Sequence, residues 1–278
     1  MQSASAAVQN RPAQNAVPQI TIAIALSLAG LIALPAAAQE QAGNRSIAPA
    51  PSSVYLSIGV AALSSPRPYV GATNTTTALP VVELYYRNLY VQGTRAGFDL
   101  LRHGDLAFGV RGRLVLAGLD PASSPYLAGM EERRWSIEGG IGLDWTPGDY
   151  ELSATAYTDL LGRSNGQQVG LDLSRSWTFD GMRYGISPSV GAVWQSAEFV
   201  NYYAGVWPDE ARPDRRAYRG EAAVNSHASV TGYMFLTRRI QLVGQVNVQR
   251  LDTEILASPV VDRQHAISGF VGVAYRFK

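Results

Sequence analysis

The sequence predicts an all-β fold, a transmembrane antiparallel β-barrel, and three observations lead to that class. First, Trp135–Trp145 alternates between apolar and small or charged residues, which is the pattern of a strand with two unlike faces. Second, its eleven residues are about the length that a tilted strand needs to cross a bilayer, and the Trp at each end fits an aromatic girdle. Third, the same alternation recurs from Val54 almost to the end of the chain.

A soluble β-sandwich would alternate as well, with its apolar face turned into a core. Here the second face of nearly every segment carries acids, arginines or amides, and aromatic residues stand near the ends of the apolar faces. A closed barrel with lipid outside and a polar interior satisfies every backbone group and leaves no strand edge. The barrel is therefore favoured. Arg175 is the exception, because its parity is that of the lipid face. We expect it beside Trp177 at a membrane interface, where a charge costs about 0–1 kcal/mol.

At least eleven strands are predicted, each from its own run of alternation. In chain order they are 54–62, 79–86, a strand starting at 89, 105–116, 135–145, 151–160, 168–177, 184–194, 224–234, 240–249 and 267–277. Tight turns are predicted at Pro147-Gly148-Asp149 and Asp180-Gly181, since Gly, Asp and Pro favour such turns.

The number of strands has to be even, because both termini of a bacterial barrel lie in the periplasm. Counts from the two ends of the chain disagree by one strand. The missing strand is expected within Leu89–Leu116 or within the long polar segment Ser196–Arg219. We expect about twelve strands, with ten as the alternative, and we expect Thr146–Asp149 to be periplasmic and Ala117–Glu132 external.

Residues 1–38 are interpreted as a signal peptide. Ile20–Leu34 is an apolar run that is short for a membrane-spanning helix, and an A-x-A cleavage site follows at Ala36–Ala38. Gln39–Ser53 is rich in Ala, Pro, Ser and Gln without periodicity, and it is expected to be a periplasmic tail. The predicted organisation is therefore signal peptide 1–38, tail 39–53 and barrel 54–278.

Composition excludes several classes of function. The chain has 23 basic and 22 acidic residues. Without Arg11 of the signal peptide the charges balance, which argues against a nucleic-acid partner. The absence of cysteine excludes a disulfide framework and thiolate metal sites. His103 and His265 lie in or beside turns with no further ligand at metal spacing, so neither a metal nor a cofactor is expected. Export without disulfides is compatible with the periplasm, the outer membrane or the medium of a Gram-negative cell.

Three stretches carry a family resemblance. They are Ser258–Val261 with Gly269–Phe277; Pro188–Val190 and Trp194 with Tyr202–Val206; and Pro68–Gly71 with Leu79–Val82 and Tyr85–Arg87. In this order and spacing they resemble the MipA/OmpV family (MltA-interacting protein) of outer-membrane barrels, across about Val54–Phe277. The loop Gly71–Thr77 departs from the family because it lacks acidic residues. Gly272, Tyr275 and Phe277 match the Gly-x-x-aromatic-x-aromatic pattern of a barrel-assembly signal, although Phe270 stands where a polar residue is usual.

The resemblance implies one of two roles in the outer membrane. One is a scaffold that holds a murein transglycosylase and a murein synthase near the membrane through periplasmic turns and the Gln39–Ser53 tail. The other is a porin-like channel for small solutes. Outer-membrane lipid and lipopolysaccharide are expected partners in either case, and no enzyme activity is expected.

Charged residues whose parity points into the lumen are the candidate functional residues. They are Arg111, Arg113, Glu138, Asp144, Glu151, Asp159, Asp172, Arg183 and Arg276. They could line a solute path, or they could pair across the lumen and close it, as happens in small barrels. Both alternatives stay open at this point.

An outer-membrane hydrolase is the weakest alternative. Asn225, His227 and Ser229 share one face and are the residue types of an orienting group, a base and a nucleophile. Side chains two residues apart on a strand are about 7 Å apart, too far for a direct relay. A polar lumen wall explains them better, and no catalytic residue is predicted.

The loop Tyr202–Arg219, with its four arginines, could fold inward or bind lipopolysaccharide phosphates, but the default is a solvated loop.

Overall fold

The computed structural model describes residues 54–65, 67–73 and 75–277. The predicted signal peptide and the predicted tail lie outside the described residues, so both stay predictions. No helix in the described ranges is long and apolar enough to span a membrane.

The described chain forms thirteen strand segments that pair antiparallel with their neighbours. They are β1 (Tyr55–Ser65), β2 (Thr75–Tyr86), β3 (Leu89–Gln92), β4 (Arg95–His103), β5 (Leu106–Val115), β6 (Ser136–Trp145), β7 (Tyr150–Asp159), β8 (Gln167–Arg175), β9 (Trp177–Phe179), β10 (Tyr184–Gln195), β11 (Ala223–Phe235), β12 (Ile240–Arg250) and β13 (His265–Arg276). The last strand pairs with the first, which closes the barrel. Two short helices, α1 (Ala197–Ala204) and α2 (Thr253–Leu256), and a 3-10 turn at Pro121–Ser123 lie in the loops.

The closed barrel has twelve strands, because β8 and β9 occupy one position in the wall. Both pair with β10 in a single register, Ser174 opposite Ser189 and Trp177 opposite Ile186. The prediction of twelve is confirmed and the alternative of ten is wrong.

The missing strand lies within Leu89–Leu116, which holds the short β3 and its partner β4 as well as β5. Ser196–Arg219 contains α1 and none of the barrel strands. The first two strands are longer than the predicted 54–62 and 79–86, because β1 continues to Ser65 and β2 already starts at Thr75.

The two faces of the wall differ as the alternation predicts. On β8 the inward-facing Gln168 is 2% exposed, whereas the outward-facing Leu171 is 54% exposed. Exposed apolar residues recur on the outer face of most strands. In a lipid bilayer this outer surface lies against acyl chains, where it needs no protein partner.

The two ends of the barrel are also unlike. One end carries long connections (116–135, 196–222 and 251–264), and the other has turns of two to four residues (87–88, 104–105, 146–149 and 236–239). Long loops are external and short turns periplasmic in bacterial barrels. Arg175 lies near the short-turn end between the rings of Tyr150 and Trp177, at 5.0 and 4.9 Å from their centroids. This position agrees with the expected membrane interface.

A hydrophobic core lies among the external loops. Leu119, Leu127, Val200, Val206 and Val260, which come from three different loops, are each at most 2% exposed. Fully burying a Val or Leu side chain contributes about 1.5–3 kcal/mol, so these contacts favour one packed arrangement of the loops. We call this packed unit the external cap.

Candidate functional site

Buried ion pairs line the lumen wall formed by β4, β5 and β6. The Arg111 guanidinium lies 2.7 Å from the Asp144 carboxylate and 3.1 Å from that of Asp99. Glycine makes room for this side chain: a Cβ on Gly142 would lie 2.8 Å from Arg111 Nε. Both arginine contacts are almost fully shielded from solvent, since the three side chains are at most 6% exposed.

A chain of amides continues the polar wall beneath the external cap. Arg113 pairs with Glu138 at 2.7 Å, and the other Glu138 oxygen accepts a hydrogen bond from Gln168 at 2.7 Å. Gln195 then donates to Gln168 at 3.4 Å, and Asn225 donates to Gln195 at 3.0 Å. Charged and amide groups from β5, β6, β8, β10 and β11 are thus joined into one buried belt, which satisfies polar groups that would otherwise be costly to bury.

A second buried pair joins His227 on β11 to Asp172 on β8. His227 Nε2 lies 2.7 Å from Asp172 Oδ1. Gly191, on the intervening strand, leaves the space for them, because a Cβ there would lie 2.2 Å from Asp172 Oδ1 and 2.7 Å from the His227 ring.

The predicted Asn225, His227 and Ser229 set does not form a relay. Ser229 hydrogen-bonds Ser189 at 2.7 Å and accepts from Gln245 at 3.1 Å, while His227 pairs with Asp172. The three side chains therefore bond to three different groups, as a polar lumen wall requires.

The remaining predicted lumen residues lie in different parts of the barrel, and not all of them face the lumen. Asp159 accepts the Ser136 hydroxyl and the N–H groups of Leu161, Ser164 and Asn165, so it holds the β7–β8 loop and does not line a path. Glu151 faces inward near the short-turn end of β7. The prediction for Arg183 needs correction, since it lies in the turn before β10 with a side chain that is 61% exposed. Arg276 lies at the same mouth and donates to the Arg238 carbonyl.

The predicted assembly signal is placed at the β13–β1 seam. A Cβ on Gly272 would lie 2.9 Å from the Cβ of Ala61, so a glycine permits close approach of the two strands. Tyr275 and Phe277 face outward with ring centroids 5.1 Å apart. A role in assembly stays a prediction.

His103 and His265 are exposed, and in the described ranges no group of three or more metal-ligating side chains comes together.

The external cap contains buried charged residues, of which Arg133 and Glu210 were not singled out by the sequence. Arg133 forms two hydrogen bonds of 2.8 Å to Glu210 and lies 3.8 Å from the centroid of the Trp207 ring. Arg215 is 1% exposed and donates to the carbonyls of Ala128 and Glu210. Burial and the neighbouring Arg212 lower the pKa of Arg215. The default of a solvated 202–219 loop is therefore wrong at Arg215, although Arg216 and Arg219 are exposed.

A lipid-facing outer surface around a polar, ion-paired interior defines an integral outer-membrane β-barrel protein. Sequence comparison then identifies its relatives. The family profile described as MltA-interacting protein MipA matches residues 58–277, and the chain belongs to that family.

Its relatives are outer-membrane proteins. The putative outer membrane protein YiaT of Escherichia coli (strain K12) is 26% identical over 225 residues, which cover 80% of this chain and 91% of the relative. The outer membrane protein OmpV of Vibrio cholerae serotype O1 is 26% identical over 161 residues, 57% of this chain and 61% of the relative. Among solved structures, the COG4313 outer membrane channel from Pseudomonas putida F1 is similar over 85% of this chain and 100% of its own, with 11% identity and a TM-score of 0.45. The family and the outer-membrane relatives YiaT and OmpV locate the protein in the outer membrane.

Proposed function

We propose that the protein is an outer-membrane scaffold that binds murein enzymes on its periplasmic rim. The family description contributes the partner class, since MipA is described as a protein that interacts with MltA. The observation that carries the proposal is a cluster of arginines on one arc of the short-turn end of the barrel.

Five arginines lie on one continuous arc of this end, which we call the basic rim. They are Arg183 between β9 and β10, Arg238 and Arg239 between β11 and β12, Arg276 at the end of β13, and Arg87 between β2 and β3. Asp180 is the acidic residue beside them, 3.6 Å from Arg183. The turns on the other arc carry Asp105 and Asp149. Such an arc attracts an acidic partner surface and orients it relative to the membrane.

The interior supports the same proposal. The external cap covers the far end of the barrel with a hydrophobic core, and buried ion pairs line the wall from β4 to β6. A straight aqueous path through the barrel would have to pass through the external cap.

The test is binding of a purified lytic transglycosylase of the MltA type to the protein in lipid nanodiscs. We expect R87Q/R183Q/R238Q/R239Q to weaken binding at least tenfold at low salt. The matched control R134Q/R163Q/R216Q/R219Q removes the same charge from the external end and should bind as the wild type does. Absent wild-type binding, or equal loss in both variants, would overturn the proposal.

A porin-like channel is the second candidate, and one specific observation favours it. Inward side chains on neighbouring strands β12, β13, β1 and β2 are only half-buried; Val243, Phe270, Leu63 and Val81 are examples. Free space in the lumen therefore lies on that side, away from the ion pairs. Planar-bilayer recordings would give rare, salt-dependent steps that become more frequent in E210Q, which loosens the external cap, and do not change in the exposed control E221Q. Silence of correctly folded wild type and E210Q alike would contradict this candidate.

A further inference from the structure

The barrel wall is incomplete at its external end between β2 and β5. β2 pairs with β1 along its whole length, up to Thr75 opposite Ser65. It pairs with β3 only from Glu83 to Tyr86, and the N–H of Gly93 then bonds to the Val82 carbonyl at 3.0 Å. Among the described residues, no strand lies against Thr75–Val81 on that side.

The depth of this gap follows from the pairing registers. The β3–β4 hairpin turns at Gly93, while β5 continues to Val115, where it pairs with Ser136 at the rim. Because the strands are tilted, the end of each strand lies slightly lower than the end of its neighbour. If the strand ends descended evenly from β2 to β5, the β3–β4 hairpin would have to be about four residues, or about 13 Å, longer. We call this gap the wall notch.

Pro80 is placed where an unpaired edge tolerates it. The Val82 carbonyl points toward β3, and backbone groups two residues apart on a strand point the same way, so the Pro80 nitrogen faces the wall notch. Proline has no N–H to donate, and within sheets it is found mainly on open edges, at the first residue of a strand or at bulges. The local sequence therefore matches an edge that stays open.

The lumen is reachable through the wall notch. The inward residues of this part of β2, Thr75, Thr77, Leu79 and Val81, are all half-buried. Inward residues near the rim of complete parts of the wall are shielded: Gln195 is 3% exposed and Gln249 is 1% exposed. Some inward residues of β12, β13 and β1 are half-buried as well, so the free space of the lumen adjoins the wall notch.

The surface behind the wall notch is apolar. Leu79 is the cross-strand partner of Ala61, and Leu63 follows on the same inward face of β1. The lower lip carries Arg95 at the hairpin tip, whereas its cross-strand partner Arg113 is already ion-paired with Glu138. Outside, Val82 of β2 is exposed and faces the lipid. Acyl chains, an apolar patch and the Arg95 guanidinium thus meet at one opening.

We propose that the wall notch admits a single-chain amphiphile with an anionic head group from the outer leaflet. Its acyl chain lies along Leu63, Leu79 and Val81, and its head group lies beside Arg95. An open backbone edge is strongly disfavoured against lipid, and a bound polar head group relieves that penalty. The inference is independent of the scaffold role, and an absence of enzyme binding would not affect it.

Photolabelling of the full-length protein in nanodiscs with a diazirine-bearing long-chain fatty acid tests the proposal. Lipid-facing residues will be labelled in any case, so the readout is the inward-facing set. We expect at least tenfold more label on Leu79 and Val81 than on Val193, an inward residue of a complete part of the wall that is 4% exposed. Label confined to outward residues, or equal label on Val81 and Val193, would contradict the proposed access from the lipid through the wall notch.

Two further comparisons test the route of the acyl chain and the charge of the head group separately. Val81→Trp fills the wall notch and should abolish labelling of Leu63, whereas Val82→Trp adds the same bulk on the lipid side and should leave it. A heat-dependent gel shift checks that both variants fold. Unlabelled fatty acid should compete at least fivefold better than its methyl ester on the wild type. Equal competition by the fatty acid and its methyl ester would contradict the requirement for an anionic head group. Undiminished Leu63 labelling in Val81→Trp would contradict entry through the wall notch.

Discussion

Arg133 and Glu210, which are 77 positions apart, form a buried ion pair in which one guanidinium nitrogen lies 2.8 Å from both carboxylate oxygens. It joins the β5–β6 loop to the β10–β11 loop. The Arg133 side chain is fully buried and that of Glu210 is 3% exposed. Arg133 also donates to the Tyr202 carbonyl at 2.8 Å. This pair fastens the external cap at its centre.

Glu210→Gln should therefore loosen the cap without unfolding the barrel. Removing one partner leaves the other charge buried and uncompensated, which costs about 3–5 kcal/mol. We expect faster trypsin cleavage after Arg212 and Arg216 with an unchanged heat-dependent gel shift. Glu221→Gln, at an exposed acid in the same loop, is the control. Cleavage of Glu210→Gln at the wild-type rate would contradict the assignment.

The lumen ion pairs should behave differently from exposed ones. Arg111→Gln leaves Asp144 buried beside a neutral group, while Asp99 keeps its pair with Arg102, and we expect the free energy of unfolding to fall by about 3–5 kcal/mol. Arg183→Gln breaks an exposed pair and should cost less than about 1 kcal/mol. Urea unfolding in detergent micelles measures both. Equal effects of the two variants would mean that the wall pairs are not shielded as described.

Gly191→Ala should disturb the His227–Asp172 pair. The added Cβ meets both side chains at less than 3 Å, and such overpacking costs about 1–3 kcal/mol. Gly232→Ala on the adjacent strand β11 is matched to it, since its Cβ would find its nearest neighbour at 3.7 Å. We expect a lower urea midpoint for the first variant and little change for the second. The reverse order would show that the pair is arranged differently.

The α2 end of the cap should loosen in acid. Burial disfavours the charged form of Asp252, but hydrogen bonds from the N–H groups of Glu254 and Val224 outweigh it and lower the pKa of Asp252 below 3.8. Because the folded pKa is the lower one, this stabilisation is complete above pH 3.8 and is lost as the pH falls through the folded value.

A spin label at Thr253→Cys reports on this transition, since the native chain has no cysteine. We expect the label to be immobile at neutral pH and mobile well below pH 3.8. Adding Asp252→Ala should make it mobile at both pH values, and adding Asp262→Ala, at a more exposed acid, should not. A label whose mobility does not change with pH in the Thr253→Cys variant with Asp252 intact would refute the role of Asp252.

The alternation of residue types determined much of this protein by itself. In the described strands, period two placed residues such as Gln168 and Leu171 on opposite faces, because a strand turns successive side chains to opposite sides. Strand number was within reach as well, since closure in a membrane requires an even count, although the sequence left open whether the missing strand lay in Leu89–Leu116 or in Ser196–Arg219.

Only the tertiary structure decided which charges meet. The pairing of Arg111 with Asp99 depends on β4, whose nine residues and bulge do not give a clean alternation. Arg133 and Glu210 lie in irregular loops, where no periodicity marks a partner 77 positions away. The wall notch depends on how far each strand runs relative to its neighbours. The alternation along one strand determines which face a residue lies on. Its contacts are determined by strand register and loop packing, because these bring together segments that are distant in sequence.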